Sequence, residues 1–230
     1  MANQLKEKLL RDEVAVVVNP DHPSPSLTEF VAGLGFDGIF IDCEHGMAGI
    51  ERVNEMCRAA RASGVASIVR PEHDAAYIVT RYLDAGADVV MVPHIETADA
   101  ARRLVATVRY ARPRDHANKI VIAMIESVEA LARLPEILEV EGIDVFFIGP
   151  SDLSASMNLA GQPTHPEVRR EVKRGIEKIR SSGKVAGTLV VRDNAADYVA
   201  SGCRYLYEHA NNFLAAGARE FGAAILAGPR

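Results

Sequence analysis

The sequence is poor in cysteine and has no long uninterrupted apolar run. Its three cysteines, Cys43, Cys57 and Cys203, include no C-x-x-C pair, and their odd number argues against a disulfide framework or a thiolate zinc site. Such cysteine usage favours a reducing compartment, and we expect a cytoplasmic protein. No run approaches the roughly 20 apolar residues that span a bilayer, and the opening segment "MANQLKEKLLRDEV" lacks the apolar core of a signal peptide.

The sequence also lacks an excess of positive charge and any nucleotide-binding motif. It carries 26 Lys and Arg against 31 Asp and Glu, a formal charge of −5. We therefore expect neither nucleic acid nor an anionic membrane as a partner, and small molecules become the expected ligands. There is no Walker loop, and "NPDHPSPS" follows the first predicted strand where a dinucleotide-binding protein would have G-x-G-x-x-G.

Short apolar runs alternate with longer amphipathic segments along the whole chain. Eight runs rich in Val, Ile, Leu, Phe or Tyr are bounded by turn residues and predict strands at 13–19, 37–43, 66–71, 87–93, 119–127, 143–150, 184–190 and 204–209. Apolar residues at helical spacing, with capping residues near several starts and Gly at many ends, predict helices at 26–34, 50–63, 75–86, 97–111, 127–142, 165–183 and 194–202.

The predicted strands are almost continuously apolar, which indicates a parallel sheet buried on both faces and joined by right-handed crossover helices. Eight repeats in 230 residues favour an α/β fold of the (β/α)8 TIM-barrel type, and we expect residues 1–230 to form one such domain. An open doubly wound sheet is the alternative. In a barrel, the active-site residues would lie in the loops at the carboxyl ends of the strands.

Polar residues recur at those predicted strand ends. The strand ends hold Asn19, Asp42, Glu44, His45, Arg70, Pro93, His94, Glu126, Pro150, Ser151, Asp152, Thr188, Glu208 and His209, of which all but the two prolines are polar. Because the second, third, fifth and sixth strands each bring at least one charged residue, we predict that acids, an imidazole and a guanidinium converge at this rim.

Glu126 and Asp152 are isolated acids that follow the runs "VIAMI" and "FFIGPS". Two carboxylates from neighbouring strand ends suit a hard divalent ion that keeps waters or takes a bidentate substrate. Such an oxygen-only pair discriminates weakly among Mg²⁺, Mn²⁺ and Co²⁺. The competing interpretation is that both acids cap the helical patterns that begin in "ESVEALARL" and "SDLSAS".

Asp42 precedes His45 by three residues across a tight turn, so its carboxylate would hold one ring nitrogen and leave the other as a base. Glu44, between them, is either an acid close to the site or a solvated loop residue. Arg70 follows "SIV" and precedes a proline, where an unpaired guanidinium is unfavourable. It either pairs with a rim carboxylate or binds an anionic substrate. His94, like most of the other histidines, is expected to be a loop or cap residue.

These residues form a coherent chemical set. Gly149 and Ser151 lead into a helix start, whose free N–H groups favour an anion, and Arg70 offers a planar fork for a carboxylate. A divalent ion that chelates a 2-oxo acid would stabilise an enolate while the imidazole moves protons. No strand end carries a lysine for an imine, since Lys119 and Lys184 begin strands and should lie at the opposite face. The set predicts aldol chemistry without a Schiff base.

Several longer motifs closely resemble one enzyme family. They are "FDGIFIDCEHG", "SIVRP", "LDAGADVVMVPHIETADAARRLV", "MIES", "LPEILEVEGIDVFFIGPSDLSASMNLAGQPTHPEV" and "IRSSGKVAGTL". The chain resembles, over most of its length, the HpcH/HpaI family of metal-dependent class II pyruvate aldolases, which includes 4-hydroxy-2-oxoheptanedioate and 2-keto-3-deoxy sugar acid aldolases. The resemblance implies a (β/α)8 barrel in a homohexamer, a trimer of dimers, whose last helix is exchanged between neighbouring barrels.

The resemblance also implies roles for individual residues. Glu126 and Asp152 would ligate the metal, and Arg70 would hold the pyruvate carboxylate. His45 would be the general base, with Asp42 behind it. In addition, the backbone around Gly149 and Ser151 would help to bind the 2-oxo acid, and Glu44 would be an acid near the waters of the metal.

Three features depart from the family pattern. Family members usually have a long loop after the fourth barrel helix that closes over the substrate, whereas "RYARPRDHANK" leads almost directly to the fifth strand. Met124 stands where many relatives have glutamine. At the eighth strand, "YLYEHANN" brings Glu208, His209 and Asn211 towards the rim, where they have a surface or interface role, remodel aldehyde specificity, or supply an acid or base.

Three functions remain open on these grounds. The favoured one is a lyase that forms or cleaves a C–C bond between pyruvate and an aldehyde through a metal enolate. A second is another enzyme on the same machinery, such as an oxaloacetate-type decarboxylase or a lyase for an unusual substrate. The third is a non-catalytic ligand-binding relative, against which the retained base and acids argue.

Overall fold

The computed structural model describes residues 3–226, which form eight strands and eleven α-helices. The strands are β1 (Ala15–Asn19), β2 (Gly38–Asp42), β3 (Ala66–Arg70), β4 (Val89–Val92), β5 (Ile120–Ile125), β6 (Val145–Ile148), β7 (Val185–Leu189) and β8 (Tyr205–His209). The helices are α1 (Gln4–Leu10), α2 (Pro25–Ala32), α3 (Ile50–Ala62), α4 (Ala76–Asp84), α5 (Ala98–Ala111), α6 (Val128–Ala132), α7 (Leu134–Leu138), α8 (Pro150–Ser156), α9 (Pro166–Ser181), α10 (Ala195–Ala200) and α11 (Ala210–Leu226).

The strands form a closed barrel in chain order, and every neighbouring pair is parallel. The last strand returns to the first, with registers from Ala15 opposite Tyr205 to Asn19 opposite His209. This pairing excludes the open doubly wound sheet and confirms the predicted (β/α)8 barrel. All eight predicted strands are present, each one to four residues shorter than its apolar run.

Strand alternation divides the core into two layers. One set of side chains fills the barrel and includes Phe40, Phe147 and Tyr205, while the other set packs outwards against the helices. Side chains two residues apart on a strand point to the same side. The inward row of β2 therefore continues from Phe40 to Asp42, and that of β8 continues from Tyr205 to His209. A polar residue two places beyond an inward apolar one is thereby aimed at the mouth of the barrel.

Helix α1 is an element that the sequence patterns did not predict. Its Leu5 and Leu9 are buried in the same cluster as the inward side chains of the strands. Lys6 donates to the carbonyl of Lys119 and Lys8 pairs with Asp37, residues that precede β5 and β2. Helix α1 therefore crosses the N-terminal end of the barrel and closes it. The charges interspersed through "QLKEKLL" belong to its outer face and to these anchoring contacts.

The predicted helix over 127–142 is divided into α6 and α7. Pro135 lies in the first turn of α7 and has no N–H group with which to continue α6, so the chain starts a new helix there. Between α5 and β5, residues 112–119 form a short connection with a single 3-10 turn at His116–Asn118. This connection lies at the N-terminal end of β5 and therefore not at the end of the barrel where the strands have their carboxyl ends.

Helix α11 extends from the end of β8 with most of its apolar side chains exposed. Only Ala210 is buried among its described residues, while Phe213 stacks on Phe36 and Leu214, Phe221 and Ile225 face outwards. None of the helices within residues 3–226 has the length and apolar character needed to cross a bilayer. The cysteines of this part of the chain are buried and unpaired.

Replacement of Leu5 by Ala tests whether α1 is part of the core. Leu5 is 2% exposed, so the change removes buried methyl groups and should lower the free energy of unfolding by about 2–5 kcal/mol. Leu10→Ala, at a position on the same helix that is 78% exposed, is the matched control and should change stability by less than about 0.5 kcal/mol. Urea denaturation followed by circular dichroism measures both. Equal losses in the two variants would contradict a plugging role for α1.

Candidate functional site

The acid, thiol, acid and imidazole of "DCEHG" follow β2 in a turn that Asp42 holds together. Its Oδ1 accepts hydrogen bonds from the main-chain N–H groups of Glu44 at 3.0 Å and His45 at 3.3 Å. The turn is tight enough that a Cβ atom at Gly46 would lie 2.0 Å from the carbonyl oxygen of Asp42, so only glycine fits there. The turn thus places Glu44 and His45 at the barrel mouth beside Asp42.

Arg70, at the end of β3, joins two of these acids. Its Nε donates to Asp42 Oδ1 at 2.9 Å and its Nη2 to Oδ2 at 2.7 Å, the bidentate geometry favoured by guanidinium and carboxylate. Its Nη1 lies 2.9 Å from Glu44 Oε2, close in distance but misaligned for a hydrogen bond. Burial opposes ionisation of Asp42, yet the hydrogen bonds and charge of Arg70 outweigh it and hold the pKa of Asp42 below its usual value.

The predicted contact between the Asp42 carboxylate and the His45 ring is wrong. Both oxygens of Asp42 are occupied by Arg70 and by the turn amides, so Asp42 reaches His45 only through its main-chain N–H. The imidazole itself is 68% exposed at the barrel mouth, and its Nε2 lies 4.0 Å from Glu44 Oε2. Asp42 therefore positions the backbone of His45 and leaves the ring free to turn towards a ligand.

Glu126 follows β5 and points into the barrel with 2% of its surface exposed. Its Oε1 accepts a hydrogen bond of 2.6 Å from the main-chain N–H of His94. Its Oε2 is buried and finds no hydrogen-bond donor among residues 3–226. Burial raises the pKa of Glu126 to about 7, against the opposing effect of the His94 N–H group and ring. An unpartnered oxygen on a buried acid is the arrangement that a bound cation would satisfy.

His94 is a site residue that sequence reasoning underrated. It lies at the end of β4 with a positive φ of 56°, and its ring stands between two acids, Nδ1 3.2 Å from Glu126 Oε1 and Nε2 3.4 Å from Glu44 Oε1. Histidine tolerates the left-handed region better than most residues, at a modest energetic penalty. Its place directly after a strand was the signal that distinguished it from the other loop histidines.

Asp152 lies in the first turn of α8, next to Glu126, and its charge contributes to the raised pKa of Glu126. Neither acid caps a helix. Ser127 caps α6 by accepting from the N–H of Ala130, and Gly149 precedes α8 without a side-chain capping bond within the described chain. The capping interpretation of Glu126 and Asp152 is therefore wrong.

Gly149 leaves the space that Glu126 occupies. A Cβ atom at Gly149 would lie 2.7 Å from Glu126 Oε2 and 3.0 Å from its Cβ, so a larger residue would displace the carboxylate. The main-chain N–H groups of Ser151 and Asp152 follow at the start of α8, where the helix provides them with no acceptor. Glycine, free N–H groups and two acids thus meet on one wall.

These side chains surround a cavity of about 200 Å³ at the carboxyl ends of the strands. The predicted site residues that line it are Asp42, His45, Arg70, Gly149, Ser151, Glu126, Asp152 and His209. Glu44 lies just behind them against Arg70 and His94. Glu208 is buried outside the cavity, where its Oε1 accepts from the N–H of His209 and the side chain of Asn212 at the start of α11. The lysines predicted at the opposite face, Lys119 and Lys184, precede β5 and β7 as expected.

The donor set of this cavity fits a cation that keeps several ligands of its own. Within residues 3–226, no group of three or more His, Cys, Asp or Glu side chains is close enough to hold a metal by itself. Glu126 and Asp152 supply two carboxylates, one with a buried oxygen that lacks a donor. Divalent ions such as Mg²⁺ are commonly bound by one or two carboxylates, with waters and substrate oxygens completing the shell.

Replacement of Arg70 by Met tests its part in stabilising the two acids. The change leaves the half-buried Asp42 and Glu44 without a counter-charge and should lower the free energy of unfolding near neutral pH by about 3 kcal/mol. The pKa of Asp42 is lower in the folded wild type than in the unfolded chain, so its ionised form stabilises the fold at a pH above the unfolded pKa. This stabilisation disappears as the pH falls through the folded pKa. The difference in stability between the wild type and Arg70→Met should therefore shrink below about pH 4. Urea denaturation across this pH range measures it.

The matched control for that experiment is Arg102→Met, which breaks an exposed pair with Asp99 on α5. It should lower stability by no more than about 1 kcal/mol at any pH. A loss in Arg70→Met that is as small as in the control, or that grows as the pH falls, would contradict the stabilising role.

Comparison with known proteins places this geometry in a family. Residues 21–216 match the model of the HpcH/HpaI aldolase/citrate lyase family. The chain is 36% identical to a 4-hydroxy-2-oxo-heptane-1,7-dioate aldolase of Escherichia coli, over 73% of each chain. It is 32% identical to a 2-keto-3-deoxy-L-rhamnonate aldolase of Escherichia coli O157:H7, over 85% of this chain and 82% of the relative.

Solved structures agree with this match over almost the whole chain. An HpcH/HpaI aldolase/citrate lyase family protein from Burkholderia cenocepacia superposes with a TM-score of 0.88 at 28% identity, covering 97% of this chain and 99% of that one. The citrate synthase SbnG superposes with a TM-score of 0.85 at 26% identity, covering 97% and 96%. The chain belongs to the HpcH/HpaI aldolase/citrate lyase family.

Proposed function

We propose that the protein is a metal-dependent class II aldolase, a lyase that forms or cleaves a C–C bond between pyruvate and an aldehyde. The observation that carries the proposal is the buried, unpartnered Oε2 of Glu126 beside Asp152, in a cavity that also contains Arg70 and an exposed imidazole. Relatives named as aldolases of 2-oxo acids support it. The 2-oxo acid and the aldehyde are the small-molecule partners.

Glu126 and Asp152 would hold the divalent cation, which is Mg²⁺, Mn²⁺ or Co²⁺. When bound, such a cation supplies Lewis-acid stabilisation of the negative charge that develops on the 2-oxo acid. The raised pKa of Glu126 supports this assignment, because a neighbouring positive charge favours the ionised form that burial disfavours. The glycine at position 149 keeps the carboxylate in place.

Arg70 retains donors for a substrate although it binds two acids. Nε and one N–H of Nη2 engage Asp42, and Nη1 contacts Glu44, which leaves two of the five guanidinium donors free. We assign these donors, with the main-chain N–H groups at Ser151, to the oxygens of the 2-oxo acid. Both lie on the wall of the same cavity.

His45 is the candidate base that removes a proton from the methyl group of pyruvate. Its ring lines the cavity, and its ionic contact within residues 3–226 is with Glu44, whose Oε2 lies 4.0 Å from Nε2. Asp42 contributes by fixing the turn, since its hydrogen bond reaches the main chain of His45. The backbone of the turn therefore places the His45 ring at the cavity, and a bound substrate would set the orientation of the ring.

A second candidate function is another C–C bond reaction on the same machinery. The citrate synthase SbnG matches this chain over nearly its full length, and the connection over 112–119 is short. An oxaloacetate-type decarboxylase belongs to the same class of reaction, because loss of CO₂ also leaves an enolate. A purely ligand-binding role is the weakest candidate, since binding alone requires no base beside a cation site.

The decisive experiment is exchange of pyruvate methyl protons for deuterium, followed by NMR without aldehyde. We expect exchange with Mg²⁺, Mn²⁺ or Co²⁺ and none with chelator. Glu126→Gln should abolish exchange and metal binding by calorimetry, and His45→Asn should slow exchange by on the order of 10²-fold while it still binds metal. Glu129→Gln, an exposed acid three residues along, is the control for the first variant.

The outcomes separate the candidates. Exchange that depends on metal and on His45 supports the enolate half of the reaction for both C–C bond functions, and a screen of aldehydes then distinguishes them. Exchange that persists in His45→Asn moves the base to another group. Absence of exchange with every metal would overturn the aldolase proposal and favour the binding role.

We propose further that the chain assembles as a homohexamer, a trimer of dimers, in which α11 is exchanged between neighbouring barrels. The support is the apolar surface of α11, where Leu214, Phe221 and Ile225 extend away from the rest of the described chain. Contiguous apolar patches of this kind usually mark a protein interface. A second copy of the chain is the partner to which we assign it.

Phe221→Asp should break this assembly, because it puts a charge into the apolar surface of α11. We expect light scattering to give six times the monomer mass of 24.9 kDa for the wild type and a smaller species for the variant. Arg219→Ala, an exposed polar neighbour on α11, is the control and should leave the mass unchanged. A wild type at the mass of one chain, or a variant that keeps the wild-type mass, would contradict the proposal.

A further inference from the structure

Four side chains form a closed ring of hydrogen bonds where β8 meets β1. Asn19 Nδ2 donates to the hydroxyl of Tyr207 at 3.1 Å, and this hydroxyl lies 3.2 Å from His209 Nε2. On the other side of the imidazole, Nδ1 lies 2.5 Å from Asp21 Oδ1. The main-chain N–H of Asp21 donates back to Asn19 Oδ1 at 2.8 Å and closes the ring. Asp21, His209 and Tyr207 thus form a carboxylate, imidazole and phenol in series.

The backbone fixes the direction of each hydrogen bond. Because Asn19 Oδ1 accepts from the Asp21 N–H, its Nδ2 is the atom that faces Tyr207. The second oxygen of Asp21 accepts from the N–H of Asn211 at 2.7 Å, so its first oxygen is directed at His209. Asp21 adopts a positive φ of 64° to make both contacts, a conformation that carries an energetic penalty outside glycine.

These directions assign the protons. With neutral His209, Nδ1–H donates to Asp21 and Nε2 accepts from the Tyr207 hydroxyl. If His209 takes up a proton on Nε2, the tyrosine oxygen must accept from both Asn19 and His209, and its own hydrogen must turn into the cavity. One proton can therefore pass along the series, and Asp21 stabilises the imidazolium that results.

The series and the two acids line the same cavity from different strands. His209 and Tyr207 line it from β8, whereas Glu126 and Asp152 line it from the ends of β5 and β6. A second chamber of about 200 Å³ adjoins, between the β1 and β2 loops, and the two chambers share Phe40, Asp42, His45 and His209 in their walls. His209 stands at the junction, 34% exposed, while Tyr207 is buried beneath it.

An aldol reaction moves protons at two different atoms. In cleavage, the hydroxyl of the adduct loses a proton as its C–O bond becomes a carbonyl, the C–C bond breaks, and its electron pair passes to the 2-oxo acid as an enolate, whose carbon then takes a proton. In condensation, every transfer runs backwards. The hydroxyl oxygen and the enolate carbon are two bonds apart in the adduct. Two proton-transfer groups on different walls of the cavity can therefore each reach one of these atoms, which a single group reaches less well.

We propose that Tyr207, backed by His209 and Asp21, is the proton-transfer group for the oxygen of the aldehyde acceptor, and that His45 serves the carbon. In cleavage, the substrate hydroxyl gives its proton to the tyrosine oxygen as the tyrosine proton passes to His209 Nε2. In condensation, the same protons return to the new hydroxyl. His209 and Asp21 act through Tyr207 and are positioning residues. The inference depends on the proposed aldolase function.

Two half-reactions separate this role from that of His45. Exchange of pyruvate methyl protons needs only the carbon end, whereas condensation of pyruvate with glycolaldehyde needs both ends. We expect Tyr207→Phe and His209→Asn to slow condensation by on the order of 10²-fold and to leave metal-dependent exchange within about twofold of the wild type. Asp21→Asn should slow condensation at least about tenfold, also without loss of exchange.

His73→Asn is the matched control. His73 pairs with Asp74 at 2.7 Å in the loop after β3 but lines neither chamber, so its replacement should change neither half-reaction. Circular dichroism checks that each variant is folded. If His209→Asn does not fold, Tyr207→Phe, which removes a single oxygen, is the deciding variant. Condensation unchanged in folded Tyr207→Phe, or exchange lost together with condensation, would overturn the assignment.

A measurement on the metal-free protein tests the series independently of activity. NMR of protein labelled with ¹⁵N-histidine, recorded at a pH where the His209 ring is neutral, should show its proton on Nδ1, and Asp21→Asn should alter that spectrum. A neutral His209 that carries its proton on Nε2 would overturn the proton assignment. If the wild type exchanges no pyruvate protons with any metal, the aldolase function fails; if it exchanges them and the tautomer is wrong, only the relay fails.

Discussion

The parallel ladder between β1 and β8 is the interaction on which the rest of the molecule depends. Without it the strands would form an open sheet, and the ends of β1 and β8 would lie at opposite edges. Its five registers close the barrel and bring Asn19 opposite His209. Closure also directs the inward row of every strand to one axis, so that the residues two places beyond the last apolar side chains meet in one cavity.

Charge within the cavity is unequally compensated, and this asymmetry defines its chemistry. One guanidinium partly compensates the two acids that follow from β2, since Arg70 binds Asp42 and contacts Glu44. On the other side, Glu126 has only a histidine, whose ring stands between it and Glu44. A continuous line of contacts therefore runs across the ends of four adjacent strands and ends at an acid with one unsatisfied oxygen. Excess negative charge at that point, rather than a preformed cage, is what the site offers to a cation.

The sequence predicted the barrel and most of the residues that line the cavity, but it did not predict which of these residues contact one another. Buried parallel strands leave uninterrupted apolar runs, and the position after each run is enough to place Arg70 and Glu126 at the mouth. The side-chain partner of Asp42 is instead Arg70, at the end of the neighbouring strand β3. Residue spacing along the chain does not reveal that this arginine, and not the His45 ring, is within reach of the carboxylate. His94 was underrated for the same reason, because its importance lies in the acids on either side. Helix α1 was missed because its two buried leucines stand among charges that anchor it from outside.

The two walls of the cavity differ in the kind of proton chemistry that they support. The wall from β2 to β5 is built of ionisable groups, in which Arg70 pairs with Asp42 and Glu126 has one oxygen without a donor in the described chain. The wall from β8 to β1 is built of hydrogen bonds whose directions the main chain sets, so that a proton can move along it without separating charge far from Asp21. A reaction that generates negative charge on one reactant and an alkoxide on the other needs both kinds of surface. The closed barrel brings both kinds of surface to the wall of one cavity.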